Sequence, residues 1–374
     1  MQALDENEVL LYCGNTHDSA FLFKKSGVDS PSPVIYISGN KEILYVPLFE
    51  YEYFRKYAGM EIRPMTDLPH YNGNLAVSLA ELLKNKTKVL IPASFPAWLF
   101  QALKASLVRL EISDWRFVYP TAIKSNKEIR LIRENAMIAK GCFGFIKNIL
   151  AKTAVRQDKI LYYKNVPLSA HHLGHFIRTF LAEHHMASDW VSIAGGKFGF
   201  YPHCAIDHPL KAAEPIIIDI AYKNFTKGYY IDSTRTFCKG APDRKFVDLY
   251  EKIFEAKNKI ERRIVPGSKI SDVAEAGENI LREAGVIMAK SASDFEGALP
   301  MMHHSLGHGI GRDLHELPAI NSRAFVNFEE GMAIAVEPGG YIKGSGGIRI
   351  EDTCVVTGSG CDNITAGNYD FIVE

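Results

Sequence analysis

Four runs of strand-forming apolar residues each carry a carboxylate, and that conflict limits what this chain can fold into. In Glu214-Pro215-Ile216-Ile217-Ile218-Asp219-Ile220 the acid stands inside an isoleucine run, and Gly228-Tyr229-Tyr230-Ile231-Asp232-Ser233-Thr234-Arg235-Thr236-Phe237 reads as its partner after a turn. Residues 332–339 carry Glu337 and residues 347–356 carry Glu351. A buried carboxylate is costly unless it is paired or holds a cation. These strands are therefore expected to meet where their acids have a purpose. Asp219 and Asp232 lie 13 positions apart, a separation a hairpin can close with both side chains at one place.

Between the two acid pairs lies His304-Ser305-Leu306-Gly307-His308-Gly309-Ile310-Gly311-Arg312-Asp313-Leu314-His315-Glu316. His304 and His308 are four apart, the spacing of helical zinc sites. Gly307, Gly309 and Gly311 argue against a helix, since each costs about 1 kcal/mol there relative to alanine. A glycine-rich loop with histidines aimed at a ligand, its backbone running close beside that ligand, is expected instead.

Length and composition set the frame. At 374 residues the chain suits about two domains. Apolar residues make up 47% and charged residues 23%, as in a soluble protein with a sizeable core. Lys+Arg and Asp+Glu are equal at 43, which leaves no electrostatic footprint for nucleic acid or an anionic membrane. The start, Met1 to Glu8, is acidic and reads as no secretory signal, and no apolar run reaches the ~18 residues of a membrane span. Cys13, Cys142, Cys204, Cys238, Cys354 and Cys361 show no C-x-x-C spacing and read as reduced thiols of a cytoplasmic protein.

In chain order, residues 33–38 and 42–47 around Gly39-Asn40-Lys41 form a hairpin signature. Leu75 to Leu83 has helical spacing, residues 88–92 read as a buried strand, and a helix runs through Trp98 to Leu103. This is a small α/β domain, 1–120. A second domain, 121–374, opens with Ser125 and Glu128 as a capping box before the stripe Ile129, Ile132, Ala136, Ala139, Phe143 and Ile146. A helix over Ser169 to His185 carries His171, His172, His175, His184 and His185. No carboxylates stand at matching positions, so those histidines are read as a solvated face. Two amphipathic helices follow, with Phe246, Leu249, Ile253 and Ile260, then Val273, Ile280 and Leu281, in their apolar stripes.

Asp219, Asp232, His308, Glu337 and Glu351 together form an oxygen-rich set with one nitrogen. Such a set suits two divalent ions rather than a thiolate-bound structural zinc. Two ions roughly 3.5–4 Å apart can share a water, lower its pKa and clamp both ends of a hydrolytic transition state.

The ordered pieces Asp219…Asp232-Ser233-Thr234-Arg235-Thr236, Gly307-His308-Gly309-Ile310-Gly311, Val336-Glu337-Pro338-Gly339 and Arg349-Ile350-Glu351-Asp352 resemble the pita-bread metallopeptidases. That family holds methionine aminopeptidase, aminopeptidase P and prolidase, with metal-free creatinase as a relative. The likeness runs from about Ile123 to the C-terminus, and the region before it is similar to the creatinase-type N-terminal domain. The resemblance implies an α+β fold: a curved antiparallel sheet flanked by helices, in two similar halves, after the smaller α/β domain. It makes Asp219 a ligand of one metal, Asp232 and Glu351 bridges, and His308 and Glu337 the remaining ligands, with Glu337 also the general base. His203 and His315 would stabilise the tetrahedral intermediate and the scissile carbonyl. His304 would line the leaving-group side, and Arg349 would support the acids.

The implied activity is hydrolysis of an Xaa-Pro bond at the N-terminus of a dipeptide or short peptide, by a water shared between two ions of Mn, Co, Zn or Fe. The implied assembly is a cytoplasmic homodimer whose partner is a peptide with proline second. The sequence departs from the family at three places. Ala194 to Tyr201 replaces a glycine-asparagine pattern before His203, and the Asp–Asp loop is about two residues longer than usual. Ala319 stands where some prolidases have an arginine for the dipeptide carboxylate, a task Arg312 would have to take over. The competing readings are a creatinase-like amidinohydrolase without metal and a catalytically inactive interaction homologue. A domain of roughly 120 residues ahead of the site disfavours methionine aminopeptidase activity.

Overall fold

The computed structural model describes residue 5 and residues 7–39, 41–226, 228–297 and 299–374. The chain divides into two units, Met1–Thr121 and Ala122–Glu374.

The first unit is built on a six-stranded mixed sheet. Its order is Glu61–Pro64, Glu42–Val46, Pro33–Ser38, Glu8–Asn15, Lys88–Ile91, Leu110–Ile112. Alternation along Glu8–Asn15 sends Val9, Leu11 and Cys13 to one face, where Leu79, Leu83, Leu99 and Leu103 of two helices cover them. The other face packs Tyr36 and Leu44 under Phe21, Phe54 and Phe117. Covered on both sides, the inner strands are apolar almost throughout, which is how they read in the sequence. The expected hairpin pairs Ile35 with Tyr45 and Ser38 with Glu42; Asn40 at its tip lies outside the described residues.

The second unit repeats one plan, two helices followed by strands. Helices Asn126–Ala151 and Ala170–Glu183 precede strands Met186–Gly195, Ile216–Asn224 and Tyr230–Lys239. Helices Arg244–Glu261 and Ile270–Glu283 precede the strands from Ile287 onward. The 26-residue first helix starts at the capping box: the Ser125 hydroxyl accepts from the Glu128 amide, and Glu128 accepts from the Ser125 amide at 2.7 Å. One polar residue interrupts its buried stripe. Asn135 donates to the Tyr229 carbonyl at 2.7 Å and its own carbonyl accepts from the Tyr222 hydroxyl. His171, His175, His184 and His185 are exposed on or after the second helix.

Two strands expected to be continuous are each broken, and the breaks fall at the acids. Residues 332–339 divide into Ala333–Val336, paired in a five-stranded sheet, and Gly339–Ile342, paired in a four-stranded one. Residues 347–356 divide in the same way into Gly346–Arg349 and Asp352–Thr357. Pro338 has no N–H to continue a ladder, so the chain changes sheet just after Glu337. Glu351 stands at the matching switch. Among the described residues no helix is long and apolar enough to cross a membrane, and all six cysteines are free thiols.

Candidate metal centre

The hairpin places the first two acids. Asp219 faces Thr234 and Ala221 faces Asp232 across the ladder, so Asp219 and Asp232 are diagonal neighbours on one face of the sheet. Alternation puts Thr234 and Thr236 on that face too and sends Arg235 to the other. The second half supplies the rest. His308 lies in the short strand Gly307–Gly309, paired with Ala335, two residues before Glu337. Among the described residues a bridge between Thr234 and Glu351 joins the two halves at the site.

The glycines around His308 are required by their protein neighbours. A Cβ on Gly307 would stand 2.0 Å from the Ala335 carbonyl oxygen, and one on Gly309 would stand 2.1 Å from that of Leu317. One on Gly311 would meet the Glu316 carboxylate at 2.5 Å. The glycines let three segments of the protein close on one another, and Gly307 lines the cavity beside the His308 imidazole.

That cavity has a volume of about 900 Å³. Asp219, Asp232, His308, Glu337, Glu351, His203, His304, His315 and Arg349 all line it. Within it Asp232, His308 and Glu351 each offer a ligand atom within 4.8 Å of the others. Asp219 and Glu337 line the wall outside this trio. Asp219 Oδ2 accepts from Arg349 Nη2 at 2.6 Å and from the Trp190 indole at 3.3 Å. Asp232 Oδ1 is buried and has no hydrogen-bond partner, a costly state for a carboxylate oxygen.

The titration behaviour reflects crowded acids. Burial, opposed by Arg349, raises Asp219 to about 6. Burial also raises Glu337 to about 7 against the pull of His308 and Arg349. Glu351 is held well above the carboxylate range by burial and by Asp232, Glu337 and Asp219. His308 loses by burial but gains more from Asp232 and Glu337, reaching about 9. Its Nδ1 donates to the Gly309 carbonyl at 3.0 Å, which leaves Nε2 facing Asp232 at 3.6 Å. Three buried carboxylates and the half-buried Glu337 against Arg349 and one imidazole leave an unmet demand for positive charge. An oxygen-rich donor set with an orphaned carboxylate oxygen fits divalent cations.

The remaining histidines differ from one another. His304 contacts Tyr341 and the Ser305 carbonyl, both at 2.8 Å, and burial followed by Arg349 lowers its pKa to about 3. It is neutral, so its 3.7 Å approach to Glu337 is no ion pair. With Nδ1 donating to Ser305 and Nε2 accepting from Tyr341, it offers the cavity a ring edge and no free nitrogen. His203 packs edge-on against Trp190 at 5.3 Å, and His315 packs against His308 at 4.3 Å. Burial lowers both, with Arg349 adding to it at His203 and His308 at His315. The loop bearing His203 is fastened by His208, whose Nε2 accepts from the Gly195 amide at 2.9 Å.

Several participants escape a reading of the sequence. Thr234 donates to Glu351 Oε2 at 2.7 Å and accepts from Arg349 Nε at 3.2 Å. The two-residue period from Asp232 was the signal for it. Tyr341 bridges Arg349, at 3.1 Å, to His304, and His303 and Trp190 line the wall; nothing local marks these three. Arg312 packs over Gly228 and does not line the cavity.

Comparison with known proteins agrees with this architecture. Residues 132–358 match the profile of metallopeptidase family M24, and the chain belongs to that family. It is a metallopeptidase with the pita-bread fold. It is 27% identical over 369 residues to an Xaa-Pro dipeptidase of Pyrococcus horikoshii, spanning 96% of this chain and 95% of that one. An Xaa-Pro dipeptidase from Bacillus anthracis superposes with a TM-score of 0.80 at 22% identity, covering 98% of this chain and 95% of that one. An X-Pro aminopeptidase from Thermotoga maritima does so with a TM-score of 0.75 at 20% identity, covering 98% and 97%.

Proposed function

We propose that this protein is a dinuclear exopeptidase that hydrolyses an Xaa-Pro bond at the N-terminus of short peptides. The observation that carries the reading is the convergence of Asp219, Asp232, His308, Glu337 and Glu351 in one cavity, with Asp232 Oδ1 buried and unpaired. Asp232 and Glu351 would bridge two divalent ions, Asp219 would serve one, and His308 and Glu337 the other. Bound there, the ions would polarise the scissile carbonyl and acidify a water.

The chain's own groups do the rest. Glu337 Oε accepts the proton of the attacking water and returns it to the leaving proline nitrogen. His203 and His315, both exposed to the cavity and held neutral, donate N–H to the developing oxyanion. Arg349 holds Asp219 in place, and its reach to Tyr341 fixes the His304 ring beside the leaving residue. The same reading includes manganese among the acceptable ions and a cytoplasmic homodimer with no nucleic-acid or membrane partner. The six free thiols and the balanced charge support the compartment. The N-terminal unit is read as the creatinase-type domain over residues 1–120, and the catalytic domain as 121–374.

One observation favours peptides longer than two residues. Among the described residues lining the cavity Arg349 is the one Lys or Arg side chain. Its guanidinium is committed to Asp219, Thr234, Tyr341 and the Pro202 carbonyl. With Ala319 in the wall, a dipeptide's free carboxylate would face acids without a cation.

Chelator-stripped protein refilled with manganese, cobalt, zinc or iron should release Xaa from Xaa-Pro peptides. The rate on Xaa-Pro-Xaa should exceed that on Xaa-Pro. Absence of metal-dependent release, or turnover of creatine by the stripped protein, would overturn the proposal.

A further inference from the structure

Behind the acids, on the face of the strands turned away from the cavity, lies a second set of charges that is not part of the cavity lining. Arg235, Lys257 and Asp352 are almost wholly buried. Every N–H of the Arg235 guanidinium is used. Nε donates to the Gly367 carbonyl at 2.8 Å. Nη1 donates to the Thr234 and Glu351 carbonyls at 2.9 and 2.6 Å. Nη2 donates to Asp352 Oδ1 and the Thr365 carbonyl at 2.7 and 2.9 Å. Asp352 accepts in addition from Lys257 at 2.6 Å, Tyr369 at 2.7 Å, Asn363 at 2.9 Å and Thr365 at 3.1 Å. Glu261, 2.8 Å from Lys257 Nζ, balances the remaining charge.

The arrangement is reciprocal. Thr353, on the strand that follows Glu351, donates to the Asp232 carbonyl at 2.7 Å and accepts from the Asp232 amide at 3.1 Å. Arg235, on the Asp232 strand, holds the Glu351 carbonyl. Each acid thus has its main chain gripped by a side chain from the other acid's strand. Among the described residues the ladder adds one bridge there, in which the Glu351 amide donates to the Thr234 carbonyl at 3.1 Å and the Thr234 amide to the Glu351 carbonyl at 3.3 Å, and the side-chain contacts reinforce it. Without such a grip, two adjacent carboxylates that repel each other would part, and the cation would have to draw them together on binding.

We propose that Arg235, Thr353, Asp352 and Lys257 form a positioning device that presets Asp232 and Glu351 at the spacing a divalent cation needs. The inference rests on the assignment of those two acids as ligands. Groups that orient metal ligands typically change metal affinity by about 10–100-fold when they are removed. The cost is paid in binding, because a cation must then order the pair itself.

The test is calorimetric titration of the chelator-stripped full chain with Mn²⁺, together with thermal unfolding in the presence and absence of Mn²⁺. Thr353→Val keeps the shape and removes both contacts to Asp232, whereas Thr353→Ser keeps the hydroxyl. Arg235→Lys keeps a charge and loses the fork, and Lys257→Met removes one donor to Asp352. Thr353→Val and Arg235→Lys should bind Mn²⁺ about 10–100-fold more weakly with native circular dichroism. Their Mn²⁺-induced rise in melting temperature should shrink, and Thr353→Ser should bind like the wild type. Variants that melt earlier when stripped yet bind Mn²⁺ with unchanged affinity would show a purely structural cluster and overturn the proposal. Should Arg235→Lys fail to fold, the Thr353 pair carries the comparison alone. Failure of the wild type to bind Mn²⁺ would instead overturn the ligand assignment, and this inference with it.

Discussion

Arg349 shows how much of the site rests on single side chains. It is buried, pairs with Asp219 at 2.6 Å, and reaches the Tyr341 hydroxyl, which in turn donates to His304. The chain of contacts predicts the result of Tyr341→Phe. Removing that oxygen leaves one Arg349 N–H and His304 Nε2 without partners in a buried place, a loss of about 1–3 kcal/mol in unfolding free energy. Urea unfolding measures it, and the neutral ring of His304 should become free to turn. An unchanged midpoint would mean that Tyr341 only fills space. The acids and His308 were legible because each violates its apolar surroundings. Tyr341 and Trp190 were not, since an aromatic residue in an apolar segment looks like ordinary core until its polar atom finds a partner. His304 was seen, but its use by Tyr341 and Ser305 depends on a residue 37 positions away.

Secondary-structure elements were legible by type and less so by extent. The capped helix, the amphipathic pairs and the Asp219–Asp232 hairpin stand where the periodicities put them. The two C-terminal strands do not continue through their acids, because Pro338 and the switch at Glu351 send each chain segment from one sheet to another. Periodicity shows that a segment is extended; it does not show which sheet it joins. The glycines were recognised as special, but the carbonyls of Ala335 and Leu317 and the Glu316 carboxylate that crowd them were not legible. Gly307→Ala would press a methyl against the Ala335 carbonyl, and overpacking of this kind costs about 3 kcal/mol. Gly144, inside the 26-residue helix with no atom near its would-be Cβ, is the opposite case. Gly144→Ala should stabilise by about 1 kcal/mol through helix propensity. Denaturant midpoints for the two variants should therefore move in opposite directions; movement the same way would contradict the packing described around His308.

At the scale of the whole molecule, the fold resolves the conflict that opened the reading of the sequence. Two halves of similar plan bring acids that neither could bury alone to one cavity. One pair comes from the diagonal of a hairpin and the other from two points where the chain changes sheet. The convergence itself was legible in the ordered motifs. The contacts that hold Asp232 beside Glu351, the Thr234–Glu351 bridge reinforced by Arg235 and Thr353, were not, since they depend on residues more than 100 positions apart.

The central claim is that this convergence holds two divalent ions. Its most direct test is elemental analysis of the chelator-stripped chain after saturation with Mn²⁺ and removal of free metal, for the wild type and for Asp232→Asn. The account predicts two ions per wild-type chain, and fewer in Asp232→Asn with native circular dichroism and no Xaa-Pro hydrolysis. Two ions and full hydrolysis in Asp232→Asn would contradict it.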